Sequence, residues 1–154
     1  MNRWLGGWWI APACVVSLMV WAFVACTAFG TTTIRKDIGG SISERAFEIE
    51  ELRDSGESVR ITGLCASACT MYLTLPNTCV KRHARLLFHG PQTQFYGVGL
   101  NKEDFDLWSN VVASYYPKEI KEKYLNSWRY TTIGAVEVSG SQAIQMGARD
   151  CDAD

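Results

Sequence analysis

The stretch VRITGLCASACTMYLTL, residues 59–75, predicts the central unit of the fold. Its first part, residues 59–63, alternates apolar and polar side chains, which is typical of a half-buried strand. Its second part, residues 66–75, begins with small residues and continues as an apolar run, which is consistent with a buried helix packed closely on a sheet. We therefore expect a strand, a tight turn and a helix, with Ser67 at the junction.

Further strand and helix patterns alternate along the chain on both sides of this unit. Runs of β-favouring residues predict strands, and capped segments with partial apolar faces predict helices. Repeated alternation of this kind favours an α/β layered domain. The predicted strands are 31–36, 84–88 and 134–138, and the predicted helices are 43–55 (capped by Ser41 or Ser43 and closed by Gly56), 101–130 with a break at Pro117, and 141–146.

Residues 4–29 contain no charged side chain and follow a short positive N-terminus. The run is longer than the roughly 20 residues that cross a bilayer as a helix. Three interpretations remain open: a retained membrane anchor, which the length and the leading tryptophans favour, a lipoprotein signal with Cys26 lipidated, or an export signal cleaved after Ala28. We assign residues 1–30 to a signal sequence or membrane anchor, and residues 31–154 to a domain on the periplasmic side of the cytoplasmic membrane.

The chain has 154 residues and a formal net charge of −1 at pH 7, so charge gives no reason to expect a nucleic-acid partner. An even number of cysteines in an exported domain favours disulfides. If Cys65 and Cys69 share a helix, their spacing makes a direct bond awkward, so we expect Cys69 to pair with Cys79. Four buried thiols are the alternative. The spacing lacks the ligand pairs of a zinc site, and neither a metal nor a cofactor is expected. The domain's cysteines are Cys65, Cys69, Cys79 and Cys151.

Three features near this unit are candidates for chemistry, and each also has a structural interpretation. Ser67 can present a hydroxyl beside free N–H groups at the helix start, or can cap the helix. His89 follows a predicted strand and can act as a base near neutral pH, or can make a structural hydrogen bond. The pair Gly39-Gly40 allows close approach of a ligand to the backbone, or marks a simple turn. The other histidine, His83, lies in a charged turn that is typical of a solvated loop.

In this order the motifs resemble the central part of the Clp protease proteolytic subunit and its crotonase-like relatives. The segments CASACT and FHGP resemble the small exported ClpP-like proteins of bacteria in particular. The similarity covers residues 34–92 and returns weakly at 139–150. It implies a truncated ClpP/crotonase-like layered domain that follows an N-terminal hydrophobic helix. By position it implies Ser67 as the nucleophile, His89 as its general base, the N–H groups of Gly40 and Ala68 as the oxyanion hole, and Gly39 with Gly40 as the substrate-binding loop.

The chain departs from this family at the third catalytic position, where the matching residue is Ala135. Glu137 lies on the same predicted strand face and is our candidate for the acid that orients the histidine. Asp104, Asp106 or a serine–histidine pair without an acid are the alternatives. The few residues between the hydrophobic segment and Gly39 also leave no room for the strand–helix–strand unit that usually precedes the glycine loop in the family.

We therefore predict a serine peptidase or hydrolase of ClpP-like type that acts on peptides or proteins at the periplasmic side of the membrane. The alternative is a catalytically inactive, exported binding module with the same scaffold. A third class is a small membrane protein whose hydrophobic segment is the functional part. The apolar residues from 105 to 128 predict either a contact in a homo-oligomer or packing on the protein's own sheet.

Overall fold

The computed structural model describes residues 30–93, 95 and 99–153 of the chain. Within those residues, no helix combines the length and the apolar character that a bilayer crossing needs. The predicted signal or anchor, residues 1–30, lies outside the described part except for Gly30 and stays a prediction. All the elements described below belong to the predicted domain.

The described residues form five strands, four α-helices and two 3-10 helices. The strands are β1 (Thr31–Asp37), β2 (Ser58–Ala66), β3 (Thr78–Val80), β4 (Arg85–Phe88) and β5 (Val136–Ser139). The α-helices are α1 (Ile42–Ser55), α2 (Lys102–Ser114), α3 (Lys118–Asn126) and α4 (Gly140–Gln145). The 3-10 helices are Ser67–Thr74 and Trp128–Tyr130.

The strands form one mixed sheet in the order β1-β2-β4-β5, and β3 pairs with the first half of β2. β1, β2 and β4 run parallel, whereas β5 runs antiparallel to β4. Parallel neighbours need crossover connections, and here α1 and the 3-10 helix Ser67–Thr74 lie in those connections. The predicted α/β class is confirmed at this level.

The centre of the core is β2 together with the helix that follows it. Val59, Ile61 and Cys65 on β2 are completely buried, and so is Met71 in the 3-10 helix. Full burial of such a side chain stabilises the fold by about 1.5–3 kcal/mol. The segment that contains Ser67 is therefore held between the best-packed parts of the domain.

The helices α2 and α3 pack on this core rather than standing away from it. Phe88 at the end of β4 makes an edge contact with Tyr116 at 5.4 Å between ring centroids, and Tyr116 makes another with Tyr124 at 5.2 Å. For these residues the structure shows packing on the protein's own core, which was one of the two alternatives for residues 105–128. Leu107, in contrast, is 57% exposed.

Capping groups lie at the helix starts and ends where the sequence predicts them. The Glu44 N–H donates to the Ser41 hydroxyl at 3.4 Å, and Gly56 closes α1 with φ of 71°. Asn101 accepts the Asp104 N–H at 2.8 Å at the start of α2. These contacts satisfy backbone groups that have no partner inside their own helix.

Two boundaries near Ser67 differ from the sequence prediction. β2 continues to Ala66, because residues 64–66 pair with β4 and residues 64 and 65 also pair with β1. The next segment is a 3-10 helix that begins at Ser67, not an α-helix. The sequence pattern also misses β3, whose three residues are too few to show an alternation.

The cysteine pairing also differs from the prediction. Cys65 bonds to Cys69, and Cys79 bonds to Cys151, so the expected pair of Cys69 with Cys79 is wrong. The premise fails because Cys65 belongs to β2 and not to the helix that carries Cys69. The turn between them brings their Cα atoms to 5.3 Å. Two disulfides fit a protein of an oxidising compartment.

Candidate active site

Ser67 occupies the turn between β2 and the 3-10 helix in a left-handed conformation, with φ of 56°. It is the one non-glycine residue with positive φ in the described part of the chain. This conformation costs roughly 1–2 kcal/mol for an L-residue, and such strain is concentrated at functional sites. A strained serine between a strand and a helix is the geometry of a nucleophile elbow. We call residues 65–69 the elbow.

The glycine loop, Gly39-Gly40, lies directly against the elbow. Gly39 has φ of 93°, and a Cβ built on it would lie 2.6 Å from the Ser67 Cβ and 2.8 Å from the Ala66 oxygen. Gly40 lines the same cavity as Ser67 and Ala68. The Ala68 N–H lies in the first turn of its helix, where no earlier turn supplies an acceptor. The structure therefore brings both predicted oxyanion-hole residues to the cavity of the serine.

Asp37 holds the glycine loop in place. One oxygen of its carboxylate accepts the Gly39 N–H at 2.8 Å, and the other accepts the Arg45 guanidinium at 2.7 Å. Arg45 in turn lies over the Tyr72 ring, 4.5 Å from its centroid, and pairs with Glu48 at 3.0 Å. The loop is thus joined to α1 and to the 3-10 helix that begins at the elbow.

Gly39→Ala is expected to destabilise the fold by about 3 kcal/mol, as measured by chemical unfolding. The added Cβ would meet the Ser67 Cβ at 2.6 Å, and φ of 93° is strained for alanine. Gly134→Ala is the matched control, because Gly134 has φ of 75° but nothing within 4 Å of the added Cβ. The control should lose only the strain, about 1 kcal/mol. Equal losses in the two variants would contradict the close contact between the loop and the elbow.

His89 follows β4 and lines the same cavity. Its Nδ1 lies 2.7 Å from the carbonyl oxygen of Gly90. Because a carbonyl can only accept, Nδ1 carries the proton of the neutral ring and Nε2 keeps the free lone pair. The Gly90 N–H donates to the Thr131 carbonyl at 3.0 Å, which holds this turn in place.

The imidazole and the Ser67 hydroxyl share the cavity without a direct bond. Among the described residues, no hydrogen bond joins the two groups. Such pairs are often long before substrate binds and shorten in the substrate complex. If the distance between Ser67 and His89 shortens, the free lone pair of Nε2 can accept a hydrogen bond from the Ser67 hydroxyl.

Two hydroxyl groups support the elbow from inside the core. The Thr70 hydroxyl donates to the Ser67 carbonyl at 2.7 Å and lies 2.7 Å from the Tyr116 hydroxyl. Thr70 has a single hydroxyl proton and uses it on the carbonyl, so Tyr116 is the donor in the second bond. Burial raises the pKa of Tyr116, which keeps this donor protonated. The backbone of Ser67 is therefore fixed by contacts that do not use its side chain.

A cavity of about 680 Å³ contains these groups. One part of its wall is polar and comes from Gly40, from the cap residue Ser41 and from the first turn of α1, including Ser43 and Glu44. Gly39, the other residue of the predicted substrate-binding loop, does not line the cavity. Another part is apolar and includes Trp108 and Val112 of α2. The volume and the mixed wall are typical of a site for a small ligand or a short segment of chain.

The carboxylates that we considered as orienting acids lie elsewhere. Both oxygens of Glu137 accept hydrogen bonds from Arg85, at 2.7 and 2.8 Å, across the β4–β5 pair. Arg85 lowers the pKa of Glu137, which keeps this exposed pair ionised. Asp106 pairs with Arg129, and Asp104 belongs to the cap of α2. None of the three lines the cavity in the described part of the chain, so the backbone carbonyl orients the imidazole instead.

The supporting groups of the site differ in how far the sequence indicates them. Asp37 stands two residues before Gly39, and an acidic residue in that place is typical of a side chain that accepts the backbone N–H of a turn. Thr70 and Tyr116 are separated by 46 positions, and no local pattern relates them. Their contact follows from the packing of the segment after α2 against the 3-10 helix Ser67–Thr74.

A scan against protein-family models and a search of the curated proteins gave no match for this chain. The chemistry of the site therefore follows from its own groups. A strained serine, an imidazole with a free Nε2 and two backbone N–H groups are the groups that acyl transfer to a hydroxyl requires.

Proposed function

We propose that this protein is a ClpP-like serine hydrolase that cuts peptides on the periplasmic side of the cytoplasmic membrane. The observation that carries the proposal is the left-handed Ser67 at a helix start, in one cavity with His89 and Gly40. At φ of 56° a residue with only a structural task would be expected to be glycine or asparagine. A serine in that place favours a use for its hydroxyl.

The reaction that these groups support begins with attack of the Ser67 Oγ on a peptide carbonyl. Nε2 of His89 takes the hydroxyl proton, and the N–H groups of Gly40 and Ala68 stabilise the negative oxygen of the tetrahedral intermediate. The intermediate breaks the C–N bond, the protonated imidazole gives its proton to the leaving amine, and an acyl-enzyme remains. Water then attacks the acyl group, again with His89 as base, and the C–O bond to Ser67 breaks. The carboxylic acid leaves, and the protonated imidazole returns its proton to the Ser67 Oγ.

The Gly90 carbonyl takes the orienting role that a carboxylate has in a complete triad. A neutral carbonyl holds the tautomer but stabilises a positive imidazole less than a carboxylate does. We therefore expect slow turnover relative to enzymes with a complete triad. This expectation matches the position of Glu137, whose charge is neutralised by Arg85.

The substrate in this proposal is an extended peptide that adds to the free edge of β1. β1 is the end strand of the sheet and pairs with β2 alone among the described strands. Residues 31–33, 35 and 36 of β1 are exposed. Because β1 leads into the glycine loop, a peptide paired along this edge would arrive at the oxyanion hole.

The scaffold proposed for this chemistry is a truncated ClpP/crotonase-like domain. The order of β1, glycine loop, α1, β2, Ser67, β4 and His89 agrees with the order that the resemblance implies. Two disulfides support an exported location, and the hydrophobic segment at 1–30 would hold the domain at the membrane.

A fluorophosphonate probe tests the proposal on the full chain in detergent. We expect a single adduct on the proteolytic fragment that contains Ser67, since only this serine is activated. Heat-unfolded chain is the control and should not react, because activation depends on the folded cavity. An adduct on Ser41 or Ser43, which line the same cavity, or no adduct on the folded chain, would count against the proposal. An adduct without peptide cleavage would support a serine hydrolase that acts as an esterase and not as a peptidase.

The second candidate function is an exported binding module that keeps the scaffold without turnover. One observation favours it: among the described residues no carboxylate is hydrogen-bonded to the imidazole, although Glu44 lines the same cavity, and the predicted acid is paired with Arg85. This candidate predicts that peptides bind in the cavity while the probe leaves Ser67 unmodified.

A further inference from the structure

The disulfide between Cys65 and Cys69 closes across Ser67. The two cysteines are separated by four positions, and Ser67 is the middle residue between them. Both cysteines are completely buried, so the bond lies beneath the cavity and not at the surface. We call this bond the elbow disulfide, and the bond between Cys79 and Cys151 the distal disulfide.

Cys65 has a central place in the sheet. It pairs with Asp37 of β1 on one side and with Leu86 of β4 on the other. β1 continues from Asp37 into the glycine loop, and β4 continues from Leu86 towards His89. The elbow disulfide therefore links the start of the 3-10 helix to Cys65 in β2. The strands that lead to the glycine loop and to His89 lie on either side of this residue.

The bond restricts the conformation of Ser67 in particular. If the chain continued as a strand after Cys65, four residues would span about 13 Å. The bonded cysteines have their Cα atoms 5.3 Å apart, while Cys65 itself stays in β2. The chain must therefore reverse between them, and Ser67 is the residue with the left-handed φ that makes the reversal.

We propose that the elbow disulfide is a positioning element that keeps Ser67 in the left-handed conformation. Without the bond, the backbone of Ser67 can relax to negative φ, and its hydroxyl leaves the reactive geometry for part of the time. The free-energy cost of the left-handed state for a non-glycine residue corresponds to about a tenfold lower population of that state. The conformational part of this inference stands on the geometry alone, and its effect on reactivity rests on the proposed hydrolase function.

The distal disulfide provides a matched control in the same chain. It closes a separation of 72 positions between β3 and the C-terminal segment, and neither of its cysteines lines the cavity. Longer loops give a larger entropic stabilisation. Its removal should therefore lower the melting temperature more than removal of the elbow disulfide, without moving Ser67.

The experiment compares the full chain with two double variants, Cys65→Ala/Cys69→Ala and Cys79→Ala/Cys151→Ala. The rate of fluorophosphonate labelling at saturating probe is measured below the melting temperature of each variant. This rate should fall about tenfold in the elbow variant, while the half-saturating probe concentration should change little. The distal variant should keep the rate of the unaltered chain and show the larger fall in melting temperature. If the probe labels the unaltered chain, equal labelling rates in the two variants would overturn the proposal.

A second measurement reports the conformation directly and does not depend on activity. The ¹³Cα and ¹³Cβ chemical shifts of Ser67 respond to φ, so they should change in the elbow variant and stay constant in the distal variant. Unchanged shifts in the elbow variant refute the positioning role even if the protein is a hydrolase. Changed shifts in a chain that the probe never labels support the positioning role and reject the hydrolase function instead. If the double variant does not fold, Cys69→Ala alone breaks the bond and keeps the buried Cys65 side chain in the core.

Discussion

Ser67→Ala and Ser67→Gly are both expected to abolish probe labelling and hydrolysis, and the glycine variant is expected to be the more stable protein. Both changes remove the hydroxyl that acts as the nucleophile in the proposed mechanism. Glycine also relieves the strain of φ 56°, which should raise the free energy of unfolding by about 1 kcal/mol. Alanine keeps the strain, so its stability should stay within about 0.5 kcal/mol of the unaltered chain. Chemical unfolding and labelling of the same samples measure both effects.

Ser43→Ala is the control for these two variants, because Ser43 lines the same cavity but belongs to the helix α1. Its labelling should stay near that of the unaltered chain. A glycine variant that is less stable than the alanine variant would contradict the left-handed conformation at Ser67. Residual labelling in both variants would show that the probe reacts elsewhere.

His89→Gln is expected to lower the rates of labelling and of ester hydrolysis by about 10²- to 10⁴-fold, the usual contribution of a positioned general base. Glutamine has a similar length and retains a hydrogen-bond donor for the Gly90 carbonyl, but its amide cannot take the proton of the serine. The side chain is half-buried and glutamine can keep the bond to the Gly90 carbonyl, so the free energy of unfolding should change by less than about 1 kcal/mol. A loss of rate with a preserved fold would identify the imidazole as the base.

His83→Gln is the matched control, because the chain has two histidines and His83 is exposed in the turn before β4. Its rates should equal those of the unaltered chain. If both variants lost activity equally, the change would reflect a general effect of the substitutions. If neither lost activity, another group would be the base, and the assignment of His89 would be wrong.

Much of the fold can be predicted from the sequence because it depends on local preferences. The caps at Ser41 and Asn101 and the closing Gly56 each depend on residues within a few positions, and the predicted helices begin and end close to them. The turn after β2 also follows from local composition, since small residues lie between two apolar segments.

The candidate site could be predicted in its parts but not in its connections. Ser67, His89 and the glycine pair each follow a strand, and the carboxyl ends of parallel strands meet at one edge of a sheet. That rule is enough to bring the three into one cavity. It does not say which group orients the imidazole, because Gly90 contributes only its backbone carbonyl and has no side chain to suggest the role.

The cysteine pairing shows the limit most clearly. The sequence prediction rejected a bond between Cys65 and Cys69 on the premise of one continuous helix, whereas the helix begins only at Ser67. The argument required Cys65 to lie inside the helix; its place in β2 exchanges a helical spacing for a sharp turn and reverses the argument. Boundaries are the least certain part of a prediction from sequence.

The amino-acid sequence was thus sufficient for the order of strands and helices other than β3 and for the helix caps, because each depends on neighbours along the chain. The bond of Cys79 with Cys151, the partner of Glu137 and the contact of the Tyr116 hydroxyl with Thr70 required the folded structure. They depend on which side chains the packing of the helices on the sheet brings within bonding distance, and separations of 46 to 72 positions leave no local trace of that packing.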